Sequence, residues 1–172
     1  MRLAGKSIVA VFAMIGVMAT VQQLRSQGSA PLQGATLAHI GIVARDVDKT
    51  VKMFETVFGI TVPAAKEVGP IPLPGDAAGA AKYKVRFTVA QVGNLSIEII
   101  EPTVGMGPHK DHLDRFGQGL QHIAFTVQDA PGVIKALQGM GGKLTMSNYV
   151  DMKDTMGFVF EISGPPRPRP AQ

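Results

Sequence analysis

Two stretches of the chain, 83 residues apart, carry the same pattern of apolar and polar positions. The first runs Ala38-His39-Ile40-Gly41-Ile42-Val43-Ala44-Arg45-Asp46. The second runs Gln121-His122-Ile123-Ala124-Phe125-Thr126-Val127-Gln128-Asp129. In each, β-branched and apolar residues predict a half-buried strand. The closing Asp predicts a helix N-cap, because its carboxylate can accept an orphan N–H of the first turn. A helix follows in both places. In the first, Val47, Val51, Phe54 and Phe58 share one face, and Gly59 ends the run. In the second, Pro131 sits just inside the start, where its missing N–H costs nothing. There Val133, Ile134, Leu137 and Met140 form the apolar face, and Gly141-Gly142 ends it.

Strands follow each helix. The first set is predicted at 60–63, 83–90 and 95–100, with Gly93-Asn94 as the hairpin turn between the last two. The second set is predicted at 143–146, 148–151 and 157–163. The order β-α-β-β-β thus occurs twice, an α+β fold of two tandem modules. Residues 64–82 and 103–119 are expected to be long Gly/Pro-rich loops, which in a compact domain are often functional.

Side chains alternate faces along a strand, and that rule sorts each strand into two faces. His39 lies with Gly41 and Val43, opposite Ile40 and Ile42. Glu98 lies with Ser96 and Ile100, opposite Leu95, Ile97 and Ile99. His122 lies with Ala124 and Thr126, opposite Ile123, Phe125 and Val127. Glu161 lies with Val159 and Ser163, opposite Phe158, Phe160 and Ile162. The bulky faces suit packing against the two helices, and the other faces leave room for a cavity. Each module offers one His from its first strand and one Glu from its last. Two imidazoles and two carboxylates facing one cavity make an N2O2 site for a divalent first-row metal. A lone strand His is usually structural and a lone strand Glu usually faces water. The same types at matching places in both halves fit the metal reading better.

Composition narrows the chemistry. The 172 residues include no Cys, which removes disulfides, thiolate ligands and a Cys nucleophile. The net charge is +4, but the basic residues are scattered, with two Tyr and no Trp, so nucleic acid is not an expected partner. The N-terminus differs in kind. Arg2 and Lys6 precede an uncharged stretch from Ser7 to Val21, the pattern of a secretory signal. Residues 1–30 are expected to be a signal peptide or an uncleaved signal anchor, 31–35 a linker, 36–164 the folded domain and 165–172 a Pro-rich disordered tail. The protein is therefore expected outside the cytoplasm, periplasmic or secreted, with membrane contact only through an uncleaved signal.

The segments His39-Ile40-Gly41-Ile42 through Phe58-Gly59, Ile97-Glu98-Ile99-Ile100-Glu101-Pro102, Gly119-Leu120-Gln121-His122-Ile123-Ala124-Phe125 and Gly157-Phe158-Val159-Phe160-Glu161-Ile162 together resemble the vicinal oxygen chelate superfamily. That group takes in glyoxalase I, methylmalonyl-CoA epimerase, extradiol dioxygenases and antibiotic-resistance proteins, and the segments look most like its epimerases. The resemblance implies two βαβββ modules whose mixed sheet forms a cup around a metal held by His39, Glu98, His122 and Glu161. It implies Ni, Co, Zn, Mn or Mg for an isomerase or lyase, and Fe for a dioxygenase built on a two-His, one-carboxylate triad. A fourth ligand, Glu98, leaves two adjacent sites on an octahedral ion, enough for a bidentate substrate but not for O2 as well. Isomerase or lyase chemistry is therefore expected, with Glu161 or Glu98 moving a proton next to a carbonyl. The alternatives are an Fe(II) extradiol-type dioxygenase and a non-catalytic small-molecule binding protein. A homodimer is expected by the same resemblance.

Two familiar substrates fit poorly. A CoA thioester or a glutathione adduct belongs in the cytoplasm, and Val43 stands where glyoxalase I-like sequences carry an Arg for glutathione. A small extracellular molecule with adjacent oxygens fits better. The loop at 105–119, with His109, Lys110, His112, Asp114 and Arg115, is a candidate to close over the cup or to bind an anionic group.

Overall fold

The structure is a computed structural model that describes residues 30–77 and 80–165. The predicted signal (1–29) and most of the Pro-rich tail (166–172) lie outside the described residues. Among the described residues no helix is long and apolar enough to cross a membrane.

The first module runs β1 (Thr36–Val43), α1 (Val47–Phe58), β2 (Lys66–Ile71), β3 (Tyr83–Val92) and β4 (Leu95–Val104). A connecting helix α2 (Pro108–Phe116) follows. The second module runs β5 (Gly119–Thr126), α3 (Ala130–Gly139), β6 (Lys143–Met146), β7 (Tyr149–Asp151), a single turn α4 (Lys153–Met156) and β8 (Val159–Ser163). All eight strands form one sheet in the order β2-β3-β4-β1-β5-β8-β7-β6. The sheet is mixed: β1 is parallel to β4 and β5 to β8, while β1 and β5 pair antiparallel across the centre. The two modules therefore meet through their first strands.

Both helix starts are capped as the sequence indicates. Asp46 Oδ1 accepts from the Lys49 N–H at 2.8 Å, and Asp129 Oδ1 accepts from the Gly132 N–H at 3.0 Å. Gly59 takes the left-handed conformation that ends α1. Ile97 and Ile99 pack with Val47, and Ile40, Ile42, Val51 and Phe54 join them, so the bulky face of the first module lies under α1. The second module repeats this with buried Phe160 and Ile162 on the sheet and Val133 and Leu137 on α3. On the other face, Tyr83, Val85 and Ile100 from the first module cluster with Met146, Tyr149 and Val159 from the second.

Four expectations need correction. No strand forms at 60–63. Ile60 and Val62 pack beneath the sheet as an extended connector, and the place beside β3 goes to Lys66–Ile71. That edge strand is almost wholly exposed, so it lacks the alternation that marks a half-buried strand. The 103–119 segment is not simply a loop, since α2 occupies its middle, with Pro108 in its first turn and Gly117 at its C-cap. Finally, Phe58 and Met140 end their helices exposed instead of buried.

Candidate metal centre

The register of the four central strands sets two rows across the sheet. One row reads Glu98 on β4, Gly41 on β1 and His122 on β5. The other reads His39 on β1, Ala124 on β5 and Glu161 on β8. Each imidazole thus lies opposite a small residue of the other module. The fit at Gly41 is close. A Cβ added there would lie 1.8 Å from His122 Cε1, so the imidazole occupies the volume of the missing side chain.

This arrangement brings His39, Glu98, His122 and Glu161 together, with one ligand atom from each inside a 4.8 Å cluster. His39 Nε2 is 3.3 Å from His122 Nε2, 3.0 Å from Glu161 Oε2 and 3.4 Å from Glu98 Oε2. His122 Nε2 is 3.4 Å from Glu98 Oε2 and 3.3 Å from Glu161 Oε2. Ligands about 2.1 Å from a first-row ion stand about 3.0 Å apart when cis on an octahedron and about 3.4 Å apart on a tetrahedron. The donor set therefore fits a divalent ion in spacing as well as in chemistry.

The electrostatics point the same way. Burial acts against charge on His39, but hydrogen bonds and attraction from Glu161 and Glu98 outweigh it and raise its pKa to about 9. His122 is raised by the same balance. Burial would lift both carboxyls, yet the two imidazoles hold Glu98 and Glu161 below the usual carboxylate range. The cluster is therefore organised around positive charge, whether carried by protons or by a cation.

Support for the four side chains is uneven. His122 is fully buried, and its Nδ1–H donates to Gln121 Oε1 at 2.7 Å, which frees Nε2 to face the cluster. Glu161 Oε1 accepts from Asn148 Nδ2 and its Oε2 from the Tyr149 hydroxyl, each at 3.1 Å. Tyr149 sits directly across from Glu161 on β7. Among the described residues Glu98 has only the two imidazoles as partners within hydrogen-bonding or ion-pair range, and His39 only His122 and the two carboxylates. Sequence reasoning missed Gln121, Asn148 and Tyr149. Position is the signal for Gln121, a polar residue in register with the apolar positions of its strand and next to a candidate ligand.

The segment leading into β5 behaves differently from expectation. His109 is buried, stacks on Tyr83, and has Nδ1 2.6 Å from the Tyr83 hydroxyl. Burial first, then the neighbouring His122 charge, push its pKa down to about 3, so it is uncharged. Lys110 pairs with Asp114, and Arg115 with Asp111, within the helix. These charges are spent on α2 itself.

Residues 38–160 match the model of the glyoxalase/bleomycin resistance protein/dioxygenase superfamily. The chain belongs to that superfamily. Solved structures share the fold. A methylmalonyl-CoA epimerase from Mycobacterium tuberculosis superposes with a TM-score of 0.54 at 19% identity, over 76% of this chain and 88% of that one. A Streptomyces coelicolor methylmalonyl-CoA epimerase in complex with 2-nitronate-propionyl-CoA gives 0.54 at 20% identity, over 74% and 95%. The uncharacterised protein YqjC of Bacillus subtilis (strain 168) is 26% identical over 142 residues, 75% of this chain and 91% of that protein.

Proposed function

We propose that this superfamily member is an exported, divalent-metal-dependent isomerase, epimerase or lyase acting on a small molecule with vicinal oxygens. The observation that carries this reading is the place of Glu98, whose Oε2 stands 3.4 Å from both imidazole Nε2 atoms. It is as much a part of the donor set as the other three. An ion held by four side chains has two positions left on an octahedron, which suits a bidentate substrate. Ni, Co, Zn, Mn or Mg would serve, and bound there the ion supplies Lewis acidity to two adjacent substrate oxygens.

The chain's own residues divide the remaining work. Glu161, tied by Asn148 and Tyr149, stays as an anchor. Glu98, without such ties, swings from the cluster and takes the proton from the carbon beside the carbonyl. It then delivers that proton to the neighbouring carbon, which completes an isomerisation. His39, Glu98 and Glu161 are 22%, 16% and 15% exposed while His122 is sealed, so the centre opens past the first three. Export rests on the Arg2-Lys6 and Ser7-to-Val21 pattern and argues for a substrate other than a CoA thioester. A homodimer is part of the same proposal.

The test is metal analysis of the full chain, followed by incubation with 2-oxo acids, 2-hydroxy ketones and malonate half-thioesters in D2O. About one equivalent of a non-iron divalent metal, with deuterium entering beside the carbonyl, supports the reading. Oxygen uptake with catechols on bound iron would instead support an Fe(II) dioxygenase using His39, His122 and Glu161. Metal-free protein that retains small molecules would support a binding protein.

A further inference from the structure

The two ends of the cup differ in chemistry. β1 and β5 pair antiparallel, so positions that the repeat makes equivalent lie at opposite ends of the sheet. At one end Val43 on β1 pairs with Ile100 on β4, and both are buried. Ile100 and Val159 cluster with Tyr83, on which His109 of α2 stacks, so α2 closes this end.

At the other end the equivalents of Val43, Ile100 and Val159 are Thr126, Ser163 and Ser96. Thr36, Thr126 and Ser163 stand side by side across β1, β5 and β8. Ser96 pairs with Gln91 across β4 and β3, and its Oγ donates to Gln91 Oε1 at 2.8 Å. By the alternation of strand side chains, Thr126 shares the face of His122, Ser163 that of Glu161 and Ser96 that of Glu98. Thr36 and Gln91 are exposed, and Ser96, Thr126 and Ser163 are partly exposed. The metal centre therefore meets solvent across a rim of hydroxyl and amide groups. None of these five side chains is charged.

We propose that the substrate is an uncharged polyhydroxylated carbonyl compound, a short open-chain sugar, and that the reaction is aldose–ketose isomerisation. This rests on the metal-dependent isomerase reading above and names its substrate class. A hydrocarbon substituent on the substrate would take water from the rim and return no hydrogen bond. A phosphate or carboxylate would find no cation at these five positions. Substrate hydroxyls both donate and accept, as the rim groups do. The hydroxyl and carbonyl oxygens at the reacting end supply the vicinal pair. The C–H bond of the hydroxyl-bearing carbon next to the aldehyde breaks, and its proton passes to Glu98. Glu98 delivers that proton to the aldehyde carbon. The hydroxyl proton moves to the former aldehyde oxygen, so the step balances without an oxidant or a second substrate.

The test compares ligands that share vicinal oxygens on the metal-loaded full chain: 1,2-pentanediol, the pentitols xylitol, ribitol and arabinitol, and the terminal phosphate of whichever pentitol binds best. Binding is followed by calorimetry and saturation-transfer NMR, with metal content measured on the same samples. The expected result is saturable binding of at least one pentitol, about tenfold or more tighter than the diol and than the phosphate. The double variant Thr126→Val, Ser163→Ala should weaken that pentitol about tenfold with metal content unchanged. Thr36→Val, at an exposed position, serves if the double variant fails to fold. The matching pentose, incubated in D2O, should yield the ketose with deuterium on its terminal carbon. A diol or phosphate that binds as tightly as every pentitol overturns the proposal, as does unchanged pentitol binding in the folded variants. Failure of the underlying reading shows separately, as a chain that takes up no metal or exchanges deuterium with no carbonyl compound, and it removes both.

Discussion

The two modules supply the same ligands and support them differently. From the second module, His122 is sealed in, wedged over Gly41 and fixed through Nδ1 by Gln121. Glu161 is fixed by Asn148 and Tyr149. From the first module, His39 is partly exposed, and among the described residues neither it nor Glu98 has a side-chain partner outside the cluster. Repetition thus explains which atoms converge, while the departures from repetition explain which of them can move. A half that holds and a half that works is a natural division for a site that must keep a metal and release a proton.

The largest effect should come from breaking the small-residue rule on the tighter side. Gly41→Ala puts a methyl group into the His122 ring, and metal affinity by chelator competition should fall on the order of 100-fold or more. Ala124→Gly, at the matching place opposite His39, should change affinity by less than about tenfold, because it only removes volume. Equal losses would mean that the two rows are equally tight.

The carboxylates sharpen the contrast next. Glu98→Gln should abolish deuterium exchange and weaken metal binding less than Glu161→Gln does. Glu161→Gln should lose metal first. Tyr149→Phe removes one tie to Glu161, and affinity should drop about tenfold, the lower range for an outer partner of a ligand. A Tyr149→Phe protein with unchanged metal affinity would remove the anchoring role.

The smallest effect concerns pH in the metal-free protein. His39 is raised from 6.5 to about 9, so the stability it contributes is complete below 6.5 and is lost as pH rises through about 9. His122 is shifted in the same direction. The melting temperature of metal-free protein should therefore fall between pH 6.5 and 9.5, and metal-loaded protein should show a shallower fall. Parallel curves for the two forms would contradict this.

The repeated strands, the two capped helices and the convergence of His39, Glu98, His122 and Glu161 were legible because each depends on a period or on a residue in its own strand. Ile97 and Ile99 facing α1 while Glu98 faces the cluster is period two applied directly. What escaped depended on neighbours distant in sequence. β2 forms because β3 offers it an edge, not because Lys66–Ile71 alternates. α2 has its signals in Pro108 and in the Lys110–Asp114 and Asp111–Arg115 pairs, but the flanking glycines masked them. Tyr149 reaches Glu161 only through the β7–β8 register, which a three-residue strand does not reveal on its own.

Metal stoichiometry and affinity of the wild type, Glu98→Ala and Glu161→Ala, measured side by side on the full chain, test the central claim most directly. The account predicts about one equivalent of non-iron divalent metal in the wild type, with Glu161→Ala weakening it at least about tenfold more than Glu98→Ala does. Iron at full occupancy that is indifferent to Glu98→Ala, or equal losses in the two variants, would contradict it.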